Sequence, residues 1–156
     1  MRRSRLLTYL TLLTVALVTA SCNRNVIYHH FEPTAIEGWD RTDTLTFSVA
    51  TAKERAVVQR DIELRITDGY PYRQLSLIVE QTTLPTGQRH TDTVNCQLVS
   101  AEGKIHGQGL TLYQYRFHLP DISLNEGDSL CFRIHHNMRR EEMPGISDVG
   151  LRLTMY

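Results

Sequence analysis

The sequence predicts an all-β protein, a jelly-roll-like antiparallel β-sandwich of about eight strands, preceded by a cleaved lipoprotein signal peptide. Two observations predict the sandwich. Apolar and polar residues alternate in eight short runs, separated by turns rich in glycine, proline and aspartate. No long segment has the 3.6-residue apolar period of a helix. Strands of this kind bury one face and expose the other to water, so two sheets are expected to pack face to face.

The eight runs follow one another from residue 26 to the end of the chain. Residues 50–58 (ATAKERAVV) allow either a short helix or turn, or the opening of the next strand by the β-branched Val57 and Val58. The alternating positions are Val26, Tyr28 and His30; Leu45, Phe47 and Val49; Ile62, Leu64 and Ile66; Leu75, Leu77 and Val79; Val94, Cys96 and Leu98; Tyr113, Tyr115, Phe117 and Leu119; Leu130, Phe132 and Ile134; and Val149, Leu151, Leu153 and Met155.

The first 22 residues resemble the signal of a bacterial lipoprotein. Arginines stand at positions 2, 3 and 5, and the apolar block at 6–18 is too short to cross about 30 Å of hydrocarbon as a helix. Small residues at 19–21 precede Cys22, as in a lipobox. We expect residues 1–21 to be a signal peptide, 22–36 a tether carrying lipid such as palmitate on Cys22, and 37–156 the sandwich domain. An ordinary secretory signal or a retained anchor are the alternatives.

The charge balance excludes two classes of partner. The chain has 17 basic and 17 acidic residues, and removal of the three signal-peptide arginines leaves 14 against 17. A slightly acidic domain lacks the positive surface that neutralises phosphates, so no nucleic-acid partner is expected. The same balance argues against a polybasic membrane patch. Contact with the membrane is therefore expected through the lipid on Cys22.

Neither a disulfide nor a metal site is predicted. Cys96 has the parity of the buried positions of its run, whereas Cys131 is out of phase with its apolar neighbours, so the two thiols should point to opposite faces. Two separate small apolar side chains are favoured over a disulfide. The adjacent pairs His29–His30 and His135–His136 point to opposite faces of a strand, and no zinc-ligand spacing occurs. We expect no metal and no cofactor.

The sequence also carries no signature of an enzyme. There is no GxSxG segment, and Asp121, Glu126 and Asp128 lie in predicted turns, where carboxylates commonly cap backbone amides. A hydrolase would need a concave pocket with converging acids or a Ser/His pair. Trp39, Tyr70 and Tyr72 suggest a different role, because flat aromatic faces can stack on sugar rings or on a peptide. A glycan- or peptide-binding module is therefore the alternative function.

Ordered short motifs extend from Cys22 to about Leu153, and together they resemble the GldH family of gliding-motility lipoproteins of the Bacteroidetes. The resemblance implies a non-catalytic part in the envelope machinery of gliding, linked to type IX secretion. The motifs are the cysteine itself; Tyr28 followed by Gly38 and Trp39; residues 68–72 (DGYPY) leading to Leu75; Gly103, Lys104, Gly107 and Gly109; residues 136–139 (HNMR); Gly145 and Ile146; and residues 148–152 (DVGLR).

The expected site of action is a protein-interaction surface in the cell envelope. A loop of mixed charge follows residue 136, where Arg139 and Arg140 precede two glutamates. An acidic cluster after the lipidated cysteine would resemble a surface-export signal of Bacteroidetes lipoproteins, and none follows Cys22. The resemblance therefore implies the periplasmic face of the outer membrane, with the cell surface as the alternative. The predicted interaction residues are Trp39, Tyr70, Tyr72, His136, Arg139 and Arg140.

Overall fold

A computed structural model describes residues 25–156, and this part of the chain forms eleven strands. Each of the eight alternating runs falls on one of the eight long strands, and one run, that of β6, extends one residue beyond its strand to Leu98. The strands are β1 (Val26–Pro33), β2 (Trp39–Asp40), β3 (Leu45–Val49), β4 (Ala56–Thr67), β5 (Gln74–Leu84), β6 (Gln88–Gln97), β7 (Gln108–Gly109), β8 (Leu112–Leu124), β9 (Ser129–His136), β10 (Glu142–Met143) and β11 (Ile146–Met155).

The long strands form two antiparallel sheets that enclose one core, which confirms the predicted fold class. One sheet has the order β1-β11-β4-β8-β7, and the other has the order β3-β9-β5-β6. A two-stranded ribbon of β2 and β10 lies outside both sheets. Most inward positions of the long strands are buried, as the alternation predicts, with Ile62 on β4 and Phe132 on β9 fully enclosed. His30 on the edge strand β1 departs from the prediction, because it is exposed.

Residues 50–55 contain no helix, so the second interpretation of this segment is the correct one. The chain runs through a loop, and β4 opens at Ala56 and includes Val57 and Val58. Their β-branched side chains fit the pleated surface, and pairing with β8 outweighs the helical preference of the preceding residues. No helix within residues 25–156 is long and apolar enough to cross a membrane.

Strand β1 lies inside the segment that the sequence assigns to the tether. Residues 26–33 pair with β11 along their length, so this part of the predicted 22–36 tether is an edge strand of the larger sheet. The Phe31 side chain lies over Gly150 of β11, where an added Cβ atom would come within 2.6 Å of the aromatic ring. Gly150 therefore makes room for an aromatic ring of the edge strand.

Both cysteines of the described chain are free. Cys96 is buried on β6, and Cys131 is half-buried on β9. Burial raises the pKa of the Cys96 thiol to about 12. This confirms their interpretation as two separate small side chains.

The two ends of the sandwich differ in composition. We call "loop end" the end formed by residues 34–44, 68–73, 98–111 and 137–145. The "anchor end" is the opposite one, where β1 begins at Val26 beside Thr154 of β11. The eight residues of β1 separate the two ends by about 25 Å. Cys22 lies outside the described residues, four positions before Val26 in the sequence.

Candidate interaction site at the loop end

The connections at the loop end are held together by backbone hydrogen bonds. The N–H of Gly145 donates to the Ile36 carbonyl over 2.8 Å, and the N–H of Thr67 donates to the Gly145 carbonyl over 2.8 Å. The N–H of Asp68 donates to the Thr111 carbonyl over 3.1 Å, which adds the loop before β8. Gly145 has a φ of 81°, and a Cβ atom there would come within 2.8 Å of the Tyr70 nitrogen. Only glycine fits at this junction of three loops.

Trp39 and His136 were predicted on the interaction surface, and that prediction is wrong because both side chains are fully buried. The Trp39 indole N–H donates to the Asp43 carbonyl over 3.0 Å, and its ring meets the His136 ring edge to face at 5.2 Å. The His136 Nε2 lies 3.0 Å from the Trp39 carbonyl oxygen. The two residues pack the ribbon against the end of β9, so they support the loop end from the interior of the domain.

Burial also sets the charge state of His136. Desolvation lowers the pKa of His136 below its ordinary value, and the backbone carbonyl groups of Trp39 and Glu141 only partly oppose this. A carbonyl oxygen can only accept, so Nε2 carries the proton that is shared with Trp39. The Met138 N–H then approaches the unprotonated Nδ1 at 3.4 Å. A neutral imidazole therefore satisfies both contacts.

This environment predicts that the domain loses stability on mild acidification. The unfolded chain would protonate His136 below about pH 6.5, whereas the folded chain resists protonation until its lower pKa is reached. The stability that neutral His136 contributes is thus complete above about pH 6.5 and is lost as the pH falls from there through the lower pKa of the folded state. Urea unfolding measured across this pH range should show a smaller drop in stability for His136→Gln than for wild type.

The control for this prediction is His135→Gln, which removes a less buried histidine from the same strand. The difference between the two variants isolates the contribution of His136 from that of other histidines. Equal pH dependence of wild type and His136→Gln would contradict the assignment.

Four predicted interaction residues remain at the surface of the loop end. Tyr70 and Tyr72 are half-buried, and their rings meet edge to face at 5.7 Å. The Tyr70 hydroxyl donates to the Gln74 carbonyl over 3.0 Å. Arg139 and Arg140 are exposed, and a hydrogen bond with Tyr72 raises the pKa of Arg140. The structure therefore places two basic side chains beside a pair of partly accessible tyrosines.

Exposed apolar side chains add to this surface, and the sequence reasoning missed them. Leu110 is 87% exposed, and Ile36 and Leu112 are 43% exposed. Backbone contacts link the segments that carry two of these residues. Thr67 pairs with Leu112 and donates to the Gly145 carbonyl, and the Gly145 N–H donates to the Ile36 carbonyl. Ile36 and Leu112 therefore lie in neighbouring segments. Leu110 and Leu112 are out of phase with the inward Tyr113 and Tyr115. That parity was the available signal that they point outward.

Of the three acids that the sequence places in turns, Asp121 lies within β8 instead, and Glu126 is exposed. Asp128 accepts a hydrogen bond from the Asn125 N–H over 2.9 Å, which confirms its predicted capping role. Glu63, on the outward face of β4, is buried between two bases: Arg116 at 2.6 Å and the His29 Nε2 at 2.8 Å. Within residues 25–156 no three His, Cys, Asp or Glu side chains are grouped as metal ligands would be.

The fold and the loop end together define a class: a β-sandwich domain with an accessible surface built from its connections. The chain belongs to the GldH lipoprotein family, whose family model matches residues 26–153. This confirms the resemblance inferred from the sequence. Family membership, rather than any one side chain, is what assigns the protein to the lipoproteins.

Two relatives match almost the whole chain. The gliding motility lipoprotein GldH of Flavobacterium johnsoniae is 24% identical over 157 residues, which cover 91% of this chain and 92% of the relative. The GldH homolog of Christiangramia forsetii is 24% identical over 160 residues, covering 97% of this chain and 96% of the relative.

Solved structures are similar at a lower level. A family GH115 4-O-methyl-α-glucuronidase gives a TM-score of 0.47 at 13% identity, covering 87% of this chain and 18% of the enzyme. A family 35 carbohydrate-binding module from Clostridium thermocellum gives a TM-score of 0.36 at 9% identity, covering 80% of this chain and 89% of the module.

Proposed function

We propose that this protein is a non-catalytic, lipid-anchored component of the gliding-motility and type IX secretion machinery, held at the periplasmic face of the outer membrane by lipid on Cys22. Membership of the GldH lipoprotein family and the lipobox-like segment before Cys22 support the anchor. The names of two relatives, from Flavobacterium johnsoniae and Christiangramia forsetii, support the link to gliding. In this proposal the domain acts by binding protein partners in the envelope.

The observation that carries the proposal is the separation of the two ends of the sandwich. The first residue of β1 lies at the anchor end, four residues after Cys22, and the antiparallel strands place the loop end about 25 Å away. A lipid at Cys22 would therefore hold the anchor end beside the membrane and present the loop end to the aqueous space.

The composition of the loop end supports a protein partner. Leu110, Ile36 and Leu112 expose apolar area at the same end of the sandwich as the exposed Arg139 and Arg140 and the half-buried tyrosine pair. Protein interfaces are enriched in tyrosine, arginine and apolar anchors, and a few such residues carry most of the binding free energy. Leu110 is the strongest candidate anchor because most of its side chain is accessible.

Genetic complementation tests this proposal. We expect a deletion strain to lose colony spreading and secretion of type IX cargo, and the wild-type gene to restore both. Leu110→Asp should restore them poorly at normal protein abundance, because loss of a central apolar contact costs about 2 kcal/mol, or roughly thirtyfold in affinity.

The matched control is Leu84→Asp, which changes an exposed leucine at the anchor end. It should complement fully if the loop end is the docking surface. A deletion strain that spreads and secretes normally would refute the proposed role. Full complementation by Leu110→Asp would show that the docking surface does not include Leu110 and lies elsewhere on the domain.

A further inference from the structure

A cleft opens between β6 and β8, which border the two facing sheets, and it reaches residues 106–109 of the loop end. We call it the lateral cleft. It contains a cavity of about 320 Å³ beside Gln88 and Ser123 and one of about 770 Å³ beside Gln97 and Gln114. Both volumes lie in the range of small-ligand sites. Five glutamines line the two cavities: Gln81, Gln88, Gln97, Gln108 and Gln114.

The smaller cavity is bordered by a buried arginine whose hydrogen bonding is incomplete. Arg60 points inward from β4 and is fully buried. Its Nε donates to the Pro120 carbonyl over 2.9 Å, and its Nη1 donates to Gln81 Oε1 over 3.0 Å. The Arg60 Nη2 is also buried, and no described residue accepts a hydrogen bond from it. An unpaired buried donor of this kind is costly, so a ligand that accepts from it gains free energy.

An unsatisfied acceptor lies beside this donor. Asp92 Oδ2 is 3.0 Å from Arg60 Nη1, but the geometry makes no hydrogen bond, and no other described residue donates to this oxygen. Asp92 Oδ1 is 3.0 Å from the His90 Nε2. Asp92 lines neither cavity, whereas Arg60 lines the smaller one, so the donor of Arg60 is the group that a ligand in the cleft can engage. A hydroxyl group can accept from that donor.

The local charge favours a neutral ligand over an anion. The charge of Arg60 is already paired with Asp92, and Asp121 places a carboxylate in the wall of the smaller cavity, where it repels a phosphate or carboxylate. Arg116 lines the larger cavity, and its charge is already paired with Glu63. The amides along the cleft carry no charge, and each of them both donates and accepts.

The larger cavity adds an aromatic surface. The Phe117 ring is half-buried in its wall and lies nearly parallel to the ring of Tyr115, at 6.3 Å and 11°. An aromatic face offers an apolar contact to the C–H face of a sugar ring. Amides, an aromatic ring and the unpaired donor of Arg60 thus lie along the same cleft.

We propose that the lateral cleft binds a neutral glycan, with Arg60 at the wall of the smaller cavity donating to one of its hydroxyl groups and the glutamines following the chain of sugars. The larger cavity shares residues 106, 108 and 109 with the loop end, but neither cavity is lined by Leu110, by Arg139 and Arg140, or by Trp39, Tyr70 and Tyr72, the three residues that first suggested sugar binding. Glycan binding in the cleft does not depend on the proposed role in gliding.

Calorimetric titration of the full-length lipoprotein tests this inference, in a detergent without a sugar headgroup. The probes are neutral tetrasaccharides built from glucose, galactose, mannose or xylose, and a hexuronic acid tetramer is the anionic comparison. At least one neutral probe should bind, and more tightly than the acidic one. Gln88→Ala and Gln114→Ala should each weaken binding about three- to tenfold, since each removes one or two hydrogen bonds.

The matched control is Asn95→Ala, which removes an exposed amide of β6 that lines neither cavity. Arg60→Lys keeps the charge and deletes the unpaired donor, and it should weaken binding if it folds; the two glutamine variants decide the question if it does not. Absence of binding to every neutral probe overturns the proposal. Equal affinity in Gln88→Ala and Gln114→Ala, preference for the acidic tetramer, or a cleft that binds only extended peptides overturns it as well.

Discussion

Replacing Trp39 with alanine is expected to cost about 3–5 kcal/mol of unfolding free energy, among the largest effects of any single substitution in the domain. The indole is fully buried, packs on His136 and donates to the Asp43 carbonyl. Truncation would leave a cavity between the ribbon and β9 and would remove the hydrogen bond to the Asp43 carbonyl. Trp39 is the only tryptophan of the chain, so urea unfolding should be followed by circular dichroism rather than by fluorescence.

Trp39→Phe separates packing from hydrogen bonding. It keeps an aromatic ring against His136 and deletes the indole N–H, so it should cost less than alanine. Arg139→Ala, at an exposed position of the same end, should leave stability nearly unchanged. A Trp39→Ala variant as stable as wild type would show that the ribbon contributes little to the fold.

Replacing Cys22 with alanine is expected to release the domain from membranes and to abolish labelling with palmitate. The prediction follows from the proposed lipid anchor, since each buried methylene contributes about 0.8 kcal/mol to membrane residence and the several chains of a bacterial lipoprotein add together. Fractionation of cell envelopes and metabolic labelling measure the two effects.

Cys131→Ala is the control for this experiment. Cys131 is free and only half-buried, so the comparison separates loss of the acceptor from loss of any thiol. Labelling that persists in Cys22→Ala would refute the attachment site. Labelling that disappears without release of the domain would show that a second contact holds it at the membrane.

The fold was predictable because alternation is a direct consequence of burying one face of a strand. Leu75, Leu77 and Val79 on β5 are all buried, as their spacing predicts. The ribbon of β2 and β10 was not predicted, because a strand of two residues is too short to show any period. Strand β1 was recognised by its alternation but was assigned to the tether. Its partner, β11, lies at the other end of the sequence, and local alternation does not show which distant strand a run pairs with.

The candidate site was predictable only in part. Several family motifs meet at the loop end, yet sequence alone does not show which of their side chains point inward. Trp39 and His136 looked like surface residues because they stand in loops or beside polar neighbours, and tertiary packing buries both. Arg60 escaped notice because it occupies an inward position of β4, where an apolar residue was expected. The burial of its guanidinium depends on Gln81 and Asp92, which only the folded chain brings beside it.

The antiparallel pairing of β1 with β11 has a mechanical consequence for the proposed arrangement. A tensile force that enters through the start of β1 and leaves through a partner at the loop end runs along the strand axis. The seven residue pairs between β1 and β11 would then share the load in shear, whereas a pull across the sheet would open them one after another. The edge strand would thus act as a stiff coupling between the bilayer and a moving assembly.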